Sequence, residues 1–223
     1  MDSRRIAVPG GHVSATVALP AGFVAGRSPV VVLGHGAGSD MHNPFLVAMQ
    51  TALADAGYPA VAFNFPYREA GRKIPDPRPV LERCYHAVLD AVRTDPALAP
   101  PRVVIGGRSM GGRMASYLAA AGAPIHGLLL LGYPLHPAGK PDALRADHLA
   151  AIRVPILFVQ GTRDALAGLD LLRPVLAPLP RATLHLIEGG DHSFKVPRRS
   201  GRSDEDVRRD IAGAITAWLR ANV

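Results

Sequence analysis

The chain has 223 residues, 48% of them apolar, which suffices for one core buried on both sides of a sheet, so residues 1–223 are expected to form a single domain. The formal charge of +7, most of it arginine, favours polyanions in general, but the basic stretches carry no nucleic-acid-binding motif or aromatic interleaving, so no specific nucleic-acid partner is expected. A single cysteine, Cys84, excludes an internal disulfide and gives no metal-ligand cluster.

The segment Met1 to Arg5 leads into mixed polar sequence rather than an apolar leader, and the longest apolar runs are strand-sized, far short of the roughly 20 residues needed to cross a bilayer. The expectation is a soluble, cytoplasmic protein without membrane contact. Composition leaves the oligomeric state open.

In chain order, the pattern opens with a strand at Ser14 to Leu19 and a second at Val30 to Gly34, followed by the small-residue loop His35-Gly36-Ala37-Gly38-Ser39. A helix at Pro44 to Ala56 is stopped by Gly57-Tyr58-Pro59, and a strand follows at Ala60 to Asn64. The basic loop Pro66 to Arg78 leads to a helix at Pro79 to Arg93, which contains Cys84. Next come a strand at Val103 to Gly106, a helix at Met110 to Ala121 and a strand at Gly127 to Leu131. Beyond a short connection to a helical-looking stretch near Ala143, a strand is expected at Pro155 to Gln160, a helix at Leu169 to Leu176 and a strand at Thr183 to Glu188. A second basic loop, His192 to Ser203, precedes the last helix, Asp204 to Ala221. Strands that read as continuous hydrophobic runs and alternate with helices predict an α/β fold: a mostly parallel central sheet with helices on both faces.

Between a strand and a helix stands Gly107-Arg108-Ser109-Met110-Gly111, a G-x-S-x-G pentapeptide. A serine on so sharp a turn has its hydroxyl exposed, and glycines two residues to either side avoid collision with neighbouring backbone. Ser109 is the candidate nucleophile. It needs a base within hydrogen-bond reach and a third group to fix that base's tautomer. Asp164 lies just past the strand at Pro155 to Gln160, and His192 lies in the loop after the next strand. The chain order Ser109, Asp164, His192 is nucleophile, acid, base, and each member sits at the carboxyl end of a predicted strand, where open α/β sheets bind their ligands. Asp191 is a poor rival as the acid, because a neighbour of His192 directs its side chain elsewhere.

The same chemistry needs donors for an oxyanion. The N–H of Met110 follows the nucleophile, and the loop from His35 offers the N–H of Ala37, with Gly38 as the alternative. His35 is read as bracing that loop, and His42 and His136 lie on the same edge of the sheet. Gly36, Gly38, Arg68, Arg108 and His136 are the candidate substrate-contacting residues. The chemistry requires no cofactor.

His35-Gly36-Ala37-Gly38, Phe63-Asn64-Phe65-Pro66-Tyr67, Gly107 to Gly112, Gln160-Gly161-Thr162-Arg163-Asp164 and Asp191-His192-Ser193-Phe194 together resemble the α/β-hydrolase superfamily from about Val30 to the end of the chain. More narrowly they resemble the KANL/testis-expressed α/β-hydrolase-like family, which is related to dienelactone hydrolases. The resemblance implies the α/β-hydrolase fold and a serine hydrolase site. Dienelactone hydrolases carry cysteine where this chain has Ser109, so it does not imply their substrate. Some members of the narrower group are parts of larger assemblies, which keeps open a non-catalytic binding or scaffold module.

The connection after Gly132-Tyr133-Pro134 is too short for a large lid, which argues for small or surface-presented esters or thioesters. Arg68, Arg72, Lys73, Arg108, Arg163, Lys195, Arg198 and Arg199 all follow strand ends. Two readings stay open for them: an electropositive mouth selecting an anionic ester, or cations paired with local acids and solvent.

Overall fold

A computed structural model describes residues 1–223. Its strands are β1 (Asp2–Val8), β2 (Gly11–Ala18), β3 (Val30–Gly34), β4 (Ala60–Phe63), β5 (Val103–Arg108), β6 (Gly127–Leu131), β7 (Ile156–Gly161) and β8 (Ala182–Ile187). Its helices are α1 (Pro44–Asp55), α2 (Pro66–Glu69), α3 (Arg78–Thr94), α4 (Met110–Ala120), α5 (Leu169–Leu176) and α6 (Asp204–Asn222).

Every residue of β3, β4, β6 and β7 is buried, which requires cover on both faces of the sheet. Successive side chains of a strand point to opposite faces. Accordingly, Val30 and Val32 join the cluster formed with Leu81, Tyr85 and Leu89 of α3 and Met114 and Leu118 of α4, while Val31 and Leu33 join Leu46, Met49 and Leu53 of α1 and Ile211, Ile215 and Trp218 of α6. The hydrophobic effect thus clamps the sheet from both sides.

The strands form one sheet in the order β1-β2-β4-β3-β5-β6-β7-β8. The pairs from β4 through β8 are parallel, and β1–β2 and β2–β4 are antiparallel. The carboxyl ends of β3, β5, β7 and β8 therefore share one rim, where the loops carrying His35, Ser109, Asp164 and His192 emerge.

Three elements depart from the sequence expectation. β1 is an edge strand with only Ile6 buried, so its charged residues hid the alternation that marks a half-buried strand. Its Arg4 is tied to Asp95 just beyond α3. The loop from Pro66 opens with the four residues of α2, started by a proline whose missing N–H is not needed there. No helix forms near Ala143: the β6–β7 connection is irregular until a 3-10 turn at Asp147–Ala151. It folds back on itself, with the Arg145 N–H donating to the Leu135 carbonyl (2.7 Å) and the Tyr133 hydroxyl to the Arg145 carbonyl (2.6 Å). It forms a wall rather than a lid. No helix is long and apolar enough to cross a membrane.

Candidate active site

Ser109 stands between β5 and α4 at φ 49° and ψ −111°, a left-handed conformation that costs a non-glycine residue about 1–3 kcal/mol. The surroundings enforce it. The Ser109 N–H donates to the Leu131 carbonyl (2.9 Å), and the Ser109 carbonyl accepts from the Arg113 N–H one helical turn on (3.0 Å). A Cβ on Gly107 or Gly111 would overlap the Gly34 carbonyl oxygen, and one on Gly112 would lie 2.6 Å from the Gly107 carbonyl oxygen. The elbow tolerates no side chain at Gly107 and Gly111 because β3 passes so close, and none at Gly112 because the end of β5 does.

His192 reaches Ser109 from the loop after β8. Its Nε2 is 2.9 Å from Ser109 Oγ, and its Nδ1 is 2.8 Å from Asp164 Oδ2. A carboxylate only accepts, so Nδ1 carries the proton and Nε2 is left to accept from the Ser109 hydroxyl. Asp191, beside His192 in sequence, shapes the loop instead. Its Oδ1 accepts from the N–H groups of Ser193 (2.7 Å) and Lys195 (2.9 Å), closing the turn that presents His192.

Asp164 is buried at 3% exposure and held on both oxygens. Oδ1 accepts from the Leu166 N–H (2.8 Å), and Oδ2 accepts from Gln160 Nε2 as well as from His192. Gln160 is itself fully buried, and its Oε1 accepts from the Tyr133 N–H (3.0 Å). Sequence reasoning gave Gln160 no part in the site. The available signal was an amide at the end of an apolar strand, where only a partnered polar group is stable.

On the opposite side of Ser109, the loop after β3 lies close enough that a Cβ on Gly36 would be 3.7 Å from Ser109 Cβ. His35 braces this loop as expected, donating from Nδ1 to the Gly36 carbonyl (2.8 Å) and accepting at Nε2 from the Phe65 N–H (3.1 Å). Burial lowers its pKa from 6.5 to about 4, so it stays neutral. Asn64 Oδ1 anchors the loop further on, accepting from the Met41 N–H (2.9 Å). No backbone carbonyl accepts from the N–H of Ala37 or of Met110. Both residues line a cavity of about 290 Å³ together with Ser109, and Gly38 follows at the exposed tip of the loop.

A second serine and histidine are also in contact, Ser116 Oγ and His148 Nε2 at 2.8 Å. Ser116 is fully buried within α4 and donates to the Arg113 carbonyl (2.8 Å), so its proton does not face the imidazole. His148 is the donor in that pair, and burial together with Arg78 and Arg113 lowers its pKa to about 4. Its chemistry is that of a neutral packing residue.

A family model described as an alpha/beta hydrolase domain matches residues 27–220. The chain belongs to the alpha/beta hydrolase family. A lidless serine hydrolase of this architecture from Xanthomonas campestris, XC6422, superimposes with a TM-score of 0.75 at 23% identity, covering 99% of this chain and 94% of that one. A dienelactone hydrolase from Anabaena variabilis gives a TM-score of 0.78 at 18% identity, covering 100% and 97%. In sequence, the chain is 31% identical over 141 residues to ABHD14B of Pongo abelii, a candidate protein-lysine deacylase, and the match spans 63% of each chain. Absence of a large lid over Ser109 is thus shared with an alpha/beta hydrolase neighbour.

Within this alpha/beta hydrolase scaffold, the remaining residues expected to contact substrate are dispersed. Arg68 pairs with Asp40 (3.3 Å) and donates to the Arg72 carbonyl (3.1 Å). Arg108 donates to Ser193 Oγ (3.0 Å), lies 5.7 Å from the centre of the Phe45 ring and lines a separate cavity beside Phe194 and Lys195. His136 is buried, with Nδ1 donating to the Pro137 carbonyl (2.9 Å). Of the basic-loop residues, Arg72 pairs with Asp76 (2.6 Å) and Lys195 with Asp204, while Arg163 reaches only the Gly189 carbonyl (3.5 Å). The cations that do line the Ser109 cavity are Arg78, Arg113 and Arg145, none of which the sequence singled out.

Proposed function

We propose that residues 1–223 form one serine hydrolase domain that cleaves small or surface-presented carboxylic esters or thioesters through an acyl-enzyme. The observation that carries this reading is the continuous hydrogen-bonded chain from Ser109 Oγ through His192 to buried Asp164, with two N–H groups that no backbone carbonyl accepts beside Ser109, that of Met110 in the elbow and that of Ala37 in the loop after β3.

In the reaction, Ser109 Oγ attacks the substrate carbonyl carbon while His192 Nε2 takes the hydroxyl proton. Asp164 stabilises the resulting imidazolium through Nδ1–H and does not itself become protonated. The N–H groups of Met110 and Ala37 hold the oxyanion of the tetrahedral intermediate, and each such donor is worth about 10²–10³ in turnover. The imidazolium then returns its proton to the departing alkoxide or thiolate. Water, deprotonated by the same imidazole, releases the acid and restores Ser109. A cavity of about 290 Å³ without a large lid fits short acyl groups better than long lipid chains.

Hydrolysis of p-nitrophenyl acetate by the wild type, abolished in Ser109→Ala with an unchanged circular-dichroism spectrum, is the expected result. Equal turnover by the two proteins overturns the assignment.

A further inference from the structure

The walls of the Ser109 cavity carry three guanidinium side chains from three different segments: Arg78 at the start of α3, Arg113 in α4 and Arg145 in the β6–β7 connection. One carboxylate, Asp76, shares the lining; its Oδ1 is paired with Arg72 (2.6 Å), while its Oδ2 is buried without a donor. Arg78 is matched by Glu82 (2.6 Å) and stacks over the Tyr117 ring at 4.0 Å from its centre. Arg113 and Arg145 are half-buried and have no carboxylate partner. The Nε of Arg113 is buried without any acceptor. Burial, and then the neighbouring Arg113, lower the pKa of Arg145. His148, next to them, is uncharged and adds no further positive charge.

Half-buried like charges without partners are unfavourable in the empty cavity, and a bound anion removes the penalty. The position of that anion relative to the reacting serine follows from the shared cavity. Arg113 is one turn beyond Ser109, with its N–H on the Ser109 carbonyl, and both residues line the same cavity with Arg145.

We infer that, resting on the serine hydrolase reading, the cavity selects substrates bearing a compact oxyanion a few bonds from the scissile carbonyl, held by Arg113 and Arg145. The chemical class is the half-ester or half-thioester of a short dicarboxylic acid, or its phosphate-bearing counterpart. This moves the anion preference from the basic loops to two arginines inside the site. Neutral esters of equal size lack the group that would discharge the pair.

The test compares kcat/KM for ethyl hydrogen succinate with that for ethyl succinamate, its uncharged match in size. Charge-assisted contacts predict a preference for the carboxylate of about tenfold or more in low salt, shrinking as salt is added. In Arg113→Gln and Arg145→Gln the ratio falls toward one, and Arg145→Lys retains part of it. Equal kcat/KM for the two esters in the wild type, or a ratio unchanged in both glutamine variants, overturns the inference. Competition by succinate against that by inorganic phosphate separates the two sources of the oxyanion, and competition by neither also overturns it. A direct readout independent of turnover is calorimetric binding of succinate and phosphate to the wild type and Arg145→Gln. If no ester is cleaved and Ser109 is not labelled by a fluorophosphonate, the hydrolase reading fails, while arginine-dependent anion binding still decides whether the site exists.

Discussion

Gln160 and His192 converge on a single atom, the Oδ2 of Asp164, which accepts a hydrogen bond from each. The carboxylate that orients the imidazole is therefore oriented in turn by an amide from its own strand, whose other end is fixed by the Tyr133 N–H. The four groups link the ends of β6, β7 and β8 into one rigid unit.

Replacing Gln160 with Leu keeps approximate volume while removing both contacts. Hydrogen bonds to charged groups contribute about 1.5–3 kcal/mol. Acylation of Ser109 is expected to slow on the order of ten- to a hundredfold, read as single-turnover rate with a fluorophosphonate, with Gln160→Glu failing to rescue it because a second carboxylate repels Asp164. An unchanged rate in Gln160→Leu contradicts the positioning role.

Asp164→Asn retains the shape but presents an N–H to His192 Nδ1, which favours the wrong tautomer. Turnover of a simple ester is expected to drop about 10⁴-fold near neutral pH. Circular dichroism checks that the fold persists; a loss of less than tenfold argues that Asp164 does not serve the imidazole.

Two glycines give opposite outcomes on the same substitution. Gly111→Ala forces a Cβ onto the Gly34 carbonyl and is expected to destabilise by several kcal/mol, toward the upper end of single-mutant effects. Gly213 sits exposed in α6 with open space around it, so Gly213→Ala is expected to stabilise by about 0.5–1 kcal/mol. Thermal melts of the two variants measure this, and a tolerated Gly111→Ala contradicts the close approach of β3 to the elbow.

Stability should also fall on mild acidification. His35 binds its proton at about 4 in the fold against 6.5 when unfolded, so between those values the unfolded chain holds more protons. Stability from this residue is complete above pH 6.5 and declines as pH falls toward 4, by on the order of 3 kcal/mol for the full shift. Urea melts at several pH values are expected to show this slope in the wild type and a shallower one in His35→Gln. Parallel slopes contradict the neutral brace.

The parallel strands were legible because burial on both faces leaves an unbroken apolar run, and Val30 to Gly34 and Gly127 to Leu131 coincide with β3 and β6. β1 was not, since an edge strand with one buried residue carries little periodic signal. Within the site, Ser109, Asp164 and His192 were legible as chain order, because each loop follows a strand end. What brings Ser109 and Asp164 each within 3 Å of His192 is the strand order of the sheet, which no local pattern encodes. The cavity arginines show both cases. Arg113 was recoverable as the residue one turn past Ser109, whereas Arg145 reaches the cavity only because the β6–β7 connection folds back through the Leu135 and Tyr133 contacts.

The most direct measurement is intact-mass spectrometry after fluorophosphonate treatment of the wild type, Ser109→Ala and Ser116→Ala. The expected result is one adduct on the wild type and on Ser116→Ala, and none on Ser109→Ala. An adduct that survives in Ser109→Ala, or none on well-folded wild type, contradicts an activated Ser109.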